Sequence, residues 1–537
     1  MAAPQPSVNY TPLTPLSFLR RSTYVYPEKI AVIHQDKRYT YREFNQRVNR
    51  LASALRQMGI DKGDRVAFLC PNIPPMLEAH YGVPLAGGVL VAINTRLSSL
   101  EIAYILNHSG AKALFVDHEL AELIPPVRDQ LTSLETIVNI DDHTGHAGIE
   151  GLDYDTLLAS ASDDPLDKPV ADENEPLSIN YTSGTTGDPK GVIYTHRSAY
   201  LNALGEALEV GLNSRATYLW TLPMFHCNGW CFTWGVTAVG GTHVCLRRLE
   251  PAEVFRLIEV ERVSHLNGAP TVLIMLTSHP SAKTAKFPRK LHVTTAGAPP
   301  SPTIIATMEA MGAEIFHVYG LTETYGPHSV CAWHEDWDDL PVDERARKKA
   351  RQGVPYIIAE DMRVVDDNMQ DIPTDTHTLG EVIMRGNNVM QGYFEQPEAT
   401  EEAFRGGWFH SGDLAVMHPD GYIEIRDRKK DIIISGGENI STIEVENTIY
   451  QHPAVQEVAV ISIPDERWGE VPKAFITLKP GAQPTSEDII NFCREHLAHF
   501  KCPKAIEFGA LPKTSTGKIK KYELREKDWQ GYERRVN

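Results

Sequence analysis

A run of glycines, hydroxyl side chains and one lysine lies between Tyr181 and His196, in the stretch YTSGTTGDPKGVIYTH. Gly184, Gly187 and Gly191 allow a positive φ and a close approach of the backbone to a ligand. The hydroxyls and the exposed N–H groups donate hydrogen bonds, and the lysine adds positive charge, which together predict a polyphosphate-binding loop. The residues predicted to contact phosphate are Thr182, Ser183, Gly184, Thr185, Thr186, Gly187 and Lys190.

This loop does not have the Walker A spacing. That pattern needs a glycine, four residues and then Gly-Lys-Ser/Thr. Counting from Gly184, Pro189 stands where the second glycine belongs, and Gly191 follows the lysine. Apolar residues at 177–181 and 192–194 predict two strands, so the loop is expected to join a hairpin.

Length, charge and cysteine content limit the functional classes. A chain of 537 residues predicts two or three domains. A net charge of −18 argues against nucleic acid as a main partner. Seven scattered cysteines indicate neither a zinc site nor a disulfide framework, and they favour a reducing compartment. We expect no membrane span and no signal peptide, and the final Arg-Val-Asn differs from the peroxisomal Ser-Lys-Leu, so a cytoplasmic location is predicted.

The first half of the chain alternates helical and strand patterns. Capping boxes at Thr40 and Ser98 begin amphipathic helices, and the apolar runs 66–70 and 113–116 follow them as buried strands. Such alternation predicts mainly parallel sheets covered by helices.

The pattern changes toward the C-terminus. A hairpin with its turn at 419–421 leads into the charged sequence RDRKK at 426–430. Short strands at 458–461 and 474–478 and a helix capped by Thr485 follow. The charged sequence is therefore the predicted domain boundary, although its composition also suits a solvated turn.

These patterns predict an α/β protein of two unequal domains. The large N-terminal domain of helix-covered sheets spans residues 1–427, and a small α+β domain spans residues 428–537.

Five motifs occur in the order found in acyl-adenylate-forming, or AMP-binding, enzymes, which include acyl-CoA synthetases, firefly luciferase and peptide-synthetase adenylation domains. They are YTSGTTGDPKGV at 181–192, YGLTE at 319–323, SGD at 411–413, RDRKKDIIISGGENI at 426–440 and PKTSTGK at 512–518. HCNGW at 226–230 most resembles the short- and medium-chain acyl-CoA synthetases. The resemblance implies that a carboxylic acid reacts with ATP to give an acyl-adenylate and pyrophosphate, and that the thiol of CoA then displaces AMP.

The resemblance also implies catalytic roles. The loop from Thr182 would hold the β- and γ-phosphates of ATP, and Thr322 would contact a phosphate. Glu323 would ligate Mg²⁺, which prefers oxygen ligands. Lys518 would bridge the carboxylate and the α-phosphate during adenylation, and His226 would lie beside the acyl group.

Further residues match the nucleotide site of the family. Asp413 matches the carboxylate that accepts hydrogen bonds from both ribose hydroxyls, and Arg428 matches a ribose or phosphate contact. The segment expected against the adenine, together with the start of YGLTE, comprises Ala296, Gly297, Ala298, Pro299, Tyr319 and Gly320.

The family carries out its two reactions in one site by rotating a mobile C-terminal domain. The resemblance places the hinge at Lys430. Residues that would then line the entry of the CoA thiol are Ser435, Gly436, Gly437 and Glu438. Many relatives carry a lysine where this chain has Ile434, so no charge-based role is expected there.

The acyl pocket is predicted from aromatic spacing and from the resemblance. His226, Trp230 and Trp234 stand at i, i+4 and i+8, which predicts one helical face. Trp230 would form a pocket wall, whereas Trp234 equally suits a packed aromatic core. Gly297 and Gly320 complete the predicted pocket. Such walls favour compact aliphatic acids, with butyrate-like acids and 3-methylthiopropionate as candidates, without excluding aromatic acids.

Gly320 stands where acetate-activating members of the family carry a tryptophan. A glycine in place of the tryptophan predicts a pocket open beyond two carbons, unless the glycine is needed only to turn the backbone.

Two classes of function stay open. The first is an acid–CoA ligase that uses a small carboxylic acid, ATP, CoA and Mg²⁺. The second is a relative that activates an aromatic acid or uses an acceptor other than CoA, through luciferase-like oxidation or carrier loading. A non-catalytic AMP sensor is disfavoured because Glu323 and Lys518 are both present. The sequence leaves the oligomeric state open, with a homodimer as one option.

Overall fold

A computed structural model describes residues 9–166, 170–182, 189–296, 302–436, 438–465, 467–513 and 519–529. Its strands form four sheets. No helix in this part of the chain combines the length and the apolar character that a membrane crossing requires.

The first sheet has eight strands and is parallel except at one edge. Its central strands are nearly all buried, as expected for a parallel sheet covered on both faces. In spatial order the strands are Gly392–Tyr393, Gly191–Thr195, Pro176–Tyr181, Val89–Ala92, Arg65–Leu69, Ala113–Asp117, Thr136–Ile140 and Leu152–Asp153. The strands at 176–181 and 191–195 pair in antiparallel fashion, which confirms the predicted hairpin around the phosphate-loop motif.

The second sheet has nine strands, with a parallel centre and antiparallel edges. In spatial order they are Val354–Pro355, Gly326–Val330, Ala313–Leu321, Leu291–Thr295, His265–Asn267, Thr217–Leu219, Thr242–Val244, Ile30–His34 and Lys37–Thr40. In open α/β sheets, ligands bind beyond the carboxyl ends of the parallel strands. The loops after Tyr181 in the first sheet and after Leu321 in the second leave from such ends.

Helices cover both sheets. Those of the large domain are Leu16–Val25, Tyr41–Gln57, Pro74–Ala86, Ser99–Ser109, Tyr154–Ser160, His196–Glu209, Cys227–Trp230, Phe232–Ala238, Pro251–Val260, Pro270–Ser278, Pro302–Met311, Val342–Lys349 and Pro397–Ala403. Thr40 and Ser98 form the capping boxes predicted for the second and fourth of these helices, because each hydroxyl accepts a backbone N–H and a glutamate closes the box.

A four-stranded antiparallel sheet follows. Its strands are Ala359–Val365, Gly380–Gly386, Phe409–Met417 and Ile423–Arg428. The last two form the predicted hairpin around 419–421, with Asp413 paired to Arg428.

The fourth sheet belongs to the small C-terminal part of the chain. Its strands are Glu438–Ile440, Ile433–Ser435, Gly469–Leu478, Val455–Asp465 and Ala505–Phe508. The accompanying helices are Thr442–Tyr450, Ser486–His496 and Lys521–Asp528. Thr485 caps the second of them as predicted. The α/β fold with a large N-terminal domain and a separate small one is confirmed. The exact boundary, proposed between Asp427 and Arg428, stays a prediction.

Candidate active site

The two ends of the phosphate-loop motif are held together. Thr182 donates its backbone N–H to the carbonyl of Lys190 at 3.0 Å, and the N–H of Lys190 reaches the Thr182 hydroxyl at 3.2 Å. Residues 183–188, which include most of the predicted phosphate contacts, lie outside the described residues.

Gly191 differs from its prediction. It begins a strand, and no positive φ is found there. A Cβ at this position would lie 3.1 Å from the Tyr181 ring and 3.3 Å from the Cβ of Phe394. The glycine therefore permits close packing of side chains and does not serve a left-handed backbone.

The motif YGLTE ends in a tight turn at the carboxyl end of the strand Ala313–Leu321. A short 3₁₀ helix covers Thr322–Thr324. The Tyr194 hydroxyl, from the strand after the phosphate loop, donates to the carbonyl of Thr322 at 2.6 Å. The turn and the phosphate loop are therefore connected directly, although they belong to different sheets.

Glu323 and Lys190 both contact the same tyrosine. The hydroxyl of Tyr393 donates to Oε1 of Glu323 at 2.9 Å, and the Lys190 ammonium lies over the Tyr393 ring, 4.7 Å from its centroid. Burial, followed by the charge of Glu323, raises the pKa of Tyr393, so its phenol is a donor at neutral pH. The sequence did not point to Tyr393, and its pairing with Glu323 spans 70 residues.

Asp413 is oriented by two groups. Tyr319 donates its hydroxyl to Oδ2 of Asp413 at 2.7 Å, and the Arg428 Nε lies 3.4 Å from Oδ1. Burial opposes the charge of Arg428, but Asp413, Asp431, Tyr319 and Glu323 outweigh burial and raise its pKa. Asp413 and Glu323, predicted to contact ribose and Mg²⁺, therefore both stabilise the charge of Arg428.

The predicted helical face of His226, Trp230 and Trp234 is wrong. The residues Cys227–Cys231 all have positive φ, between 43° and 62°. The segment Cys227–Trp230 is therefore one tight left-handed turn and not a right-handed helix, and the right-handed helix begins after it, at Phe232. Four of the five carry a Cβ, and each such residue costs about 1–2 kcal/mol in this conformation. The spacing i, i+4, i+8 therefore does not align the three side chains.

Buried hydrogen bonds hold this turn in place. Ser178 donates to Oδ1 of Asn228 at 2.6 Å, and Nδ2 of Asn228 donates to Nε2 of His80 at 3.0 Å. The other nitrogen of His80 lies 2.7 Å from the carbonyl of Met76, so Nδ1 carries the proton and Nε2 accepts. On the neighbouring strand, Asn180 donates to the carbonyl of Phe225, just before His226, at 2.5 Å.

The three predicted acyl-pocket side chains differ in burial. His226 is half-buried, Trp230 is 6% exposed and Trp234 is completely buried. Trp234 packs edge-on against His80 and Tyr325, as expected for its alternative role in an aromatic core.

Gly320 has no room for a side chain. A Cβ there would lie 1.9 Å from the carbonyl oxygen of Gly326 on the adjacent antiparallel strand. The glycine is required by this backbone approach, so its presence is not evidence for an open pocket floor. Any larger residue at this position would separate two paired strands, and the pocket open beyond two carbons stays a prediction.

Cys227 lies close to the phosphate motif, with its sulfur 3.9 Å from the Thr322 hydroxyl. Burial raises the pKa of this thiol to about 12, so it is neutral at physiological pH and unsuited to act as a nucleophile. Of the segment predicted to lie against adenine, Ala296 is half-buried after the strand Leu291–Thr295, whereas Gly297, Ala298 and Pro299 lie outside the described residues.

In the C-terminal domain, Gly436 contacts an exposed tryptophan. Its φ is 61°, and a Cβ would lie 2.7 Å from the ring of Trp468. Ser435, which is buried, and Glu438, which is exposed, are paired with each other across the turn of the same short hairpin. Gly437 lies outside the described residues. Glycine at 436 is thus required both by the backbone and by this ring.

Lys518 also lies outside the described residues, but the ends of its loop are joined. Lys513 and Ile519 form an isolated bridge, and the Lys520 N–H donates to the carbonyl of Pro512 at 2.8 Å. The helix that follows is anchored by Lys521, which pairs with Glu446 at 2.8 Å.

Two family models match the chain, one over the large domain and one over the small C-terminal part. The model of the AMP-binding enzyme family matches residues 19–394, and that of the AMP-binding enzyme C-terminal domain matches residues 444–518. The chain is a member of the AMP-binding enzyme family. The resemblance inferred from the five motifs is therefore confirmed.

Relatives of this AMP-binding enzyme align over nearly their whole length. It is 48% identical to 4-hydroxybutyrate–CoA ligase 2 of Metallosphaera sedula, covering 96% of this chain and 94% of the relative. This chain is also 46% identical to the peroxisomal acetate/butyrate–CoA ligase of Arabidopsis thaliana, and the match covers 98% of this chain and 96% of that relative. The crystal structure of an anthranilate CoA ligase with anthranoyl-AMP superposes with a TM-score of 0.84 at 28% identity, covering 97% of this chain and 98% of the other.

Proposed function

We propose that this AMP-binding enzyme is an acid–CoA ligase for short- and medium-chain carboxylic acids. The observation that carries the proposal is its identity of 46–48%, over nearly the full length, with CoA ligases named for acetate, butyrate and 4-hydroxybutyrate. Butyrate-like acids are the first candidates, and 3-methylthiopropionate is a further one because its thioether packs well against aromatic rings.

The proposed reaction has two steps. A carboxylate oxygen of the acid attacks the α-phosphorus of ATP, and the bond to pyrophosphate breaks. The thiolate sulfur of CoA then attacks the acyl carbon, and AMP leaves. In the first step two anions approach each other, so cationic and hydrogen-bonding groups have to offset their repulsion.

The chain's own residues supply these groups in our proposal. Asp413, held by Tyr319 and Arg428, accepts hydrogen bonds from the ribose, which orients the α-phosphate. Lys190 and the loop from Thr182 bind the outer phosphates. Lys518 stabilises the charge that develops between the carboxylate and the α-phosphate.

Magnesium fits the residues beside this loop. The carboxylate of Glu323 and the hydroxyl of Thr322 are hard oxygen donors next to the position proposed for the phosphates, which is the donor chemistry that Mg²⁺ prefers. When bound, Mg²⁺ neutralises phosphate charge. Glu323 would hold it, and the hydrogen bond from Tyr393 orients that carboxylate.

The second step would use the C-terminal domain in another orientation, with rotation at Lys430 and CoA entry past Ser435, Gly436, Gly437 and Glu438. Contacts next to the proposed hinge would have to break. Ser441 donates to the carbonyl of Arg426, and the Thr442 N–H donates to Asp427, both at 2.5 Å.

Cellular location, metabolic role and oligomeric state are considered together. A cytoplasmic location is supported by seven cysteines that are all free and buried. A role in fatty acid metabolism follows from the proposed substrates. The oligomeric state stays open, with a homodimer as one option that light scattering would test.

A pyrophosphate-release screen tests the function. Linear acids of two to ten carbons, branched, hydroxy-, thioether and aromatic acids are compared with and without CoA, and products are identified by mass spectrometry. We expect CoA-dependent turnover with acyl-CoA and AMP formed in equal amounts, highest for a short aliphatic acid. Highest turnover with an aromatic acid would contradict the substrate proposal. Pyrophosphate release without acyl-CoA would indicate a different acceptor.

A further inference from the structure

One short segment connects the two halves of the proposed phosphate site. The strand Gly392–Tyr393 pairs with the strand that begins directly after Lys190, with Gly392 opposite Ile193 and Tyr393 opposite Val192. The N–H of Phe394 also donates to the carbonyl of Gly191 at 2.7 Å. Tyr393 is thereby fixed next to the end of the phosphate loop.

The same segment is bound to the turn that carries Glu323. The N–H of Met390 donates to the Glu323 carbonyl at 2.8 Å. The buried Asn388 donates from Nδ2 to the carbonyls of Thr324 at 3.1 Å and Pro327 at 3.0 Å. Strand pairing and these hydrogen bonds therefore hold residues 388–394 next to the segments that carry both charged groups.

Within this frame the Tyr393 side chain contacts both predicted phosphate-site charges. Its hydroxyl donates to Oε1 of Glu323 at 2.9 Å, and its ring lies under the Lys190 ammonium at 4.7 Å from the centroid. The ring attracts the cation through its quadrupole without neutralising it, so Lys190 retains its charge for a phosphate. The hydroxyl restricts the carboxylate, which would otherwise sample several rotamers.

We propose that Tyr393 is a positioning residue of the nucleotide site, which holds Glu323 for the metal ion and Lys190 for the phosphates on two sides of one side chain. This inference rests on the proposed function. This role differs from a purely structural one because the two contacts can be removed independently. The hydroxyl acts on the metal ligand, and the ring acts on the lysine.

Two variants separate these contacts. Tyr393→Phe keeps the ring over Lys190 and removes the donor to Glu323. Tyr393→Leu removes both. Tyr356→Phe is the matched control, because its hydroxyl also donates to a glutamate, Glu206, at 2.9 Å, in the buried core next to the helix His196–Glu209.

Binding is measured on the full chain with Mn²⁺ and the α,β-methylene analogue of ATP, which is not cleaved at the reacting bond. Paramagnetic resonance of free Mn²⁺ gives the metal affinity at saturating analogue, and calorimetry gives the analogue affinity at saturating Mn²⁺. Circular dichroism melting checks the fold of each variant. Thioester formation from supplied acyl-adenylate provides a reaction that does not use the pyrophosphate-side contacts.

We expect Tyr393→Phe to weaken Mn²⁺ binding about tenfold or more, by loss of one hydrogen bond to a charged group, with little change in analogue affinity at saturating metal. Tyr393→Leu should weaken both affinities. Tyr356→Phe should leave both unchanged, and thioester formation should be retained in all three. Unchanged Mn²⁺ affinity in a folded Tyr393→Phe variant overturns the inference, as does an equal loss in the control. Failure of the wild-type protein to bind Mn²⁺ and the analogue at all would instead contradict the proposed function.

Discussion

The hydroxyl of Tyr319 donates to Oδ2 of Asp413 at 2.7 Å, which joins the end of a parallel strand in one sheet to an antiparallel strand in another. Both residues are buried, and Arg428 approaches the other carboxylate oxygen. The carboxylate proposed to bind ribose is therefore held in one orientation before any nucleotide arrives, and that pre-organisation reduces the cost of binding.

Tyr319→Phe tests this pre-organisation. A hydrogen bond to a charged group contributes about 1.5–3 kcal/mol, so the variant should bind ATP roughly tenfold more weakly or worse, while the KM for CoA stays near the wild-type value. Steady-state kinetics and AMP titration measure both. Tyr422→Phe is the control, because that hydroxyl donates at 2.7 Å to the carbonyl of Ala332, a neutral partner with no proposed role in the site. Equal effects on ATP and CoA would contradict a ribose-orienting role.

The left-handed turn at 227–231 leads to a second prediction. Asn228→Gly should keep the backbone conformation but lose the hydrogen bonds to Ser178 and His80, which costs about 1–3 kcal/mol because buried groups are left unpaired. Asn228→Ala should cost about 1–2 kcal/mol more, since alanine also resists a left-handed φ. Denaturant unfolding measures the difference between the two variants.

The glycine and alanine variants share the loss of the side chain, so each serves as the other's control. If they unfold at the same denaturant concentration, the turn does not impose the strain inferred from its φ values.

Local sequence signals predicted the parts of the fold that are locally determined. The capping boxes at Thr40 and Ser98 and the hairpin around residue 420 depend on residues a few positions apart, and all were confirmed. The turn at 227–231 was missed because it depends on His80, 148 positions away, and on Ser178, 50 positions away. A helical spacing of aromatic residues gives no indication of such distant partners.

In the candidate site, too, the sequence pointed to some residues and missed others whose contacts are distant along the chain. Motif order pointed to Asp413 and Glu323, because the family resemblance carries the positions of chemically required groups, and their roles stay predictions. It did not identify Tyr393, which belongs to no recognised motif and is adjacent to Glu323 only through strand pairing. The sequence left two explanations of Gly320 open, because a one-dimensional comparison does not reveal the Gly326 carbonyl that occupies the space of its side chain.

Lys518→Ala should separate the two half-reactions. Removing one pre-organised charge from a developing transition state typically costs about 10²–10³-fold. Adenylation, followed as pyrophosphate release, should fall by that factor, whereas thioester formation from supplied acyl-adenylate should persist. Lys513→Ala is the control at the start of the same loop, where Lys513 pairs with Glu457. Equal losses in both half-reactions of Lys518→Ala would contradict its assignment to adenylation.

Lys430→Pro should give the opposite result. Lys430 lies in the turn between the strands Ile423–Arg428 and Ile433–Ser435, and proline would fix its φ. A single turnover of pyrophosphate release should be retained while acyl-CoA formation falls at least tenfold. Lys430→Ala, which removes the same side chain but leaves φ free, should retain both reactions. Acyl-CoA formation at the wild-type rate in the proline variant would move the hinge to another residue.

The buried histidines make the folded protein sensitive to acid. Burial lowers the pKa of His243 to about 3. It lowers the pKa of five others to about 4: His80, His196, His265, His317 and His328. In the unfolded chain these groups titrate near a pKa of about 6.5. Between pH 6.5 and 4 the unfolded state therefore binds more protons, so the free energy of unfolding falls as pH falls, by about 1.4 kcal/mol per pH unit for each histidine. The contribution is fully present above pH 6.5 and is lost as the pH approaches 4.

Denaturant unfolding at pH 7.5, 6.5, 5.5 and 5.0 measures this slope. His80→Gln keeps a donor for the Met76 carbonyl and an acceptor for Asn228 but does not titrate, so its unfolding free energy should depend on pH less steeply than that of the wild type, by about 1.4 kcal/mol per pH unit below pH 6.5. A wild-type protein equally stable at pH 7.5 and 5.0, or a His80→Gln slope identical to that of the wild type, would show that His80 is not held neutral by its burial.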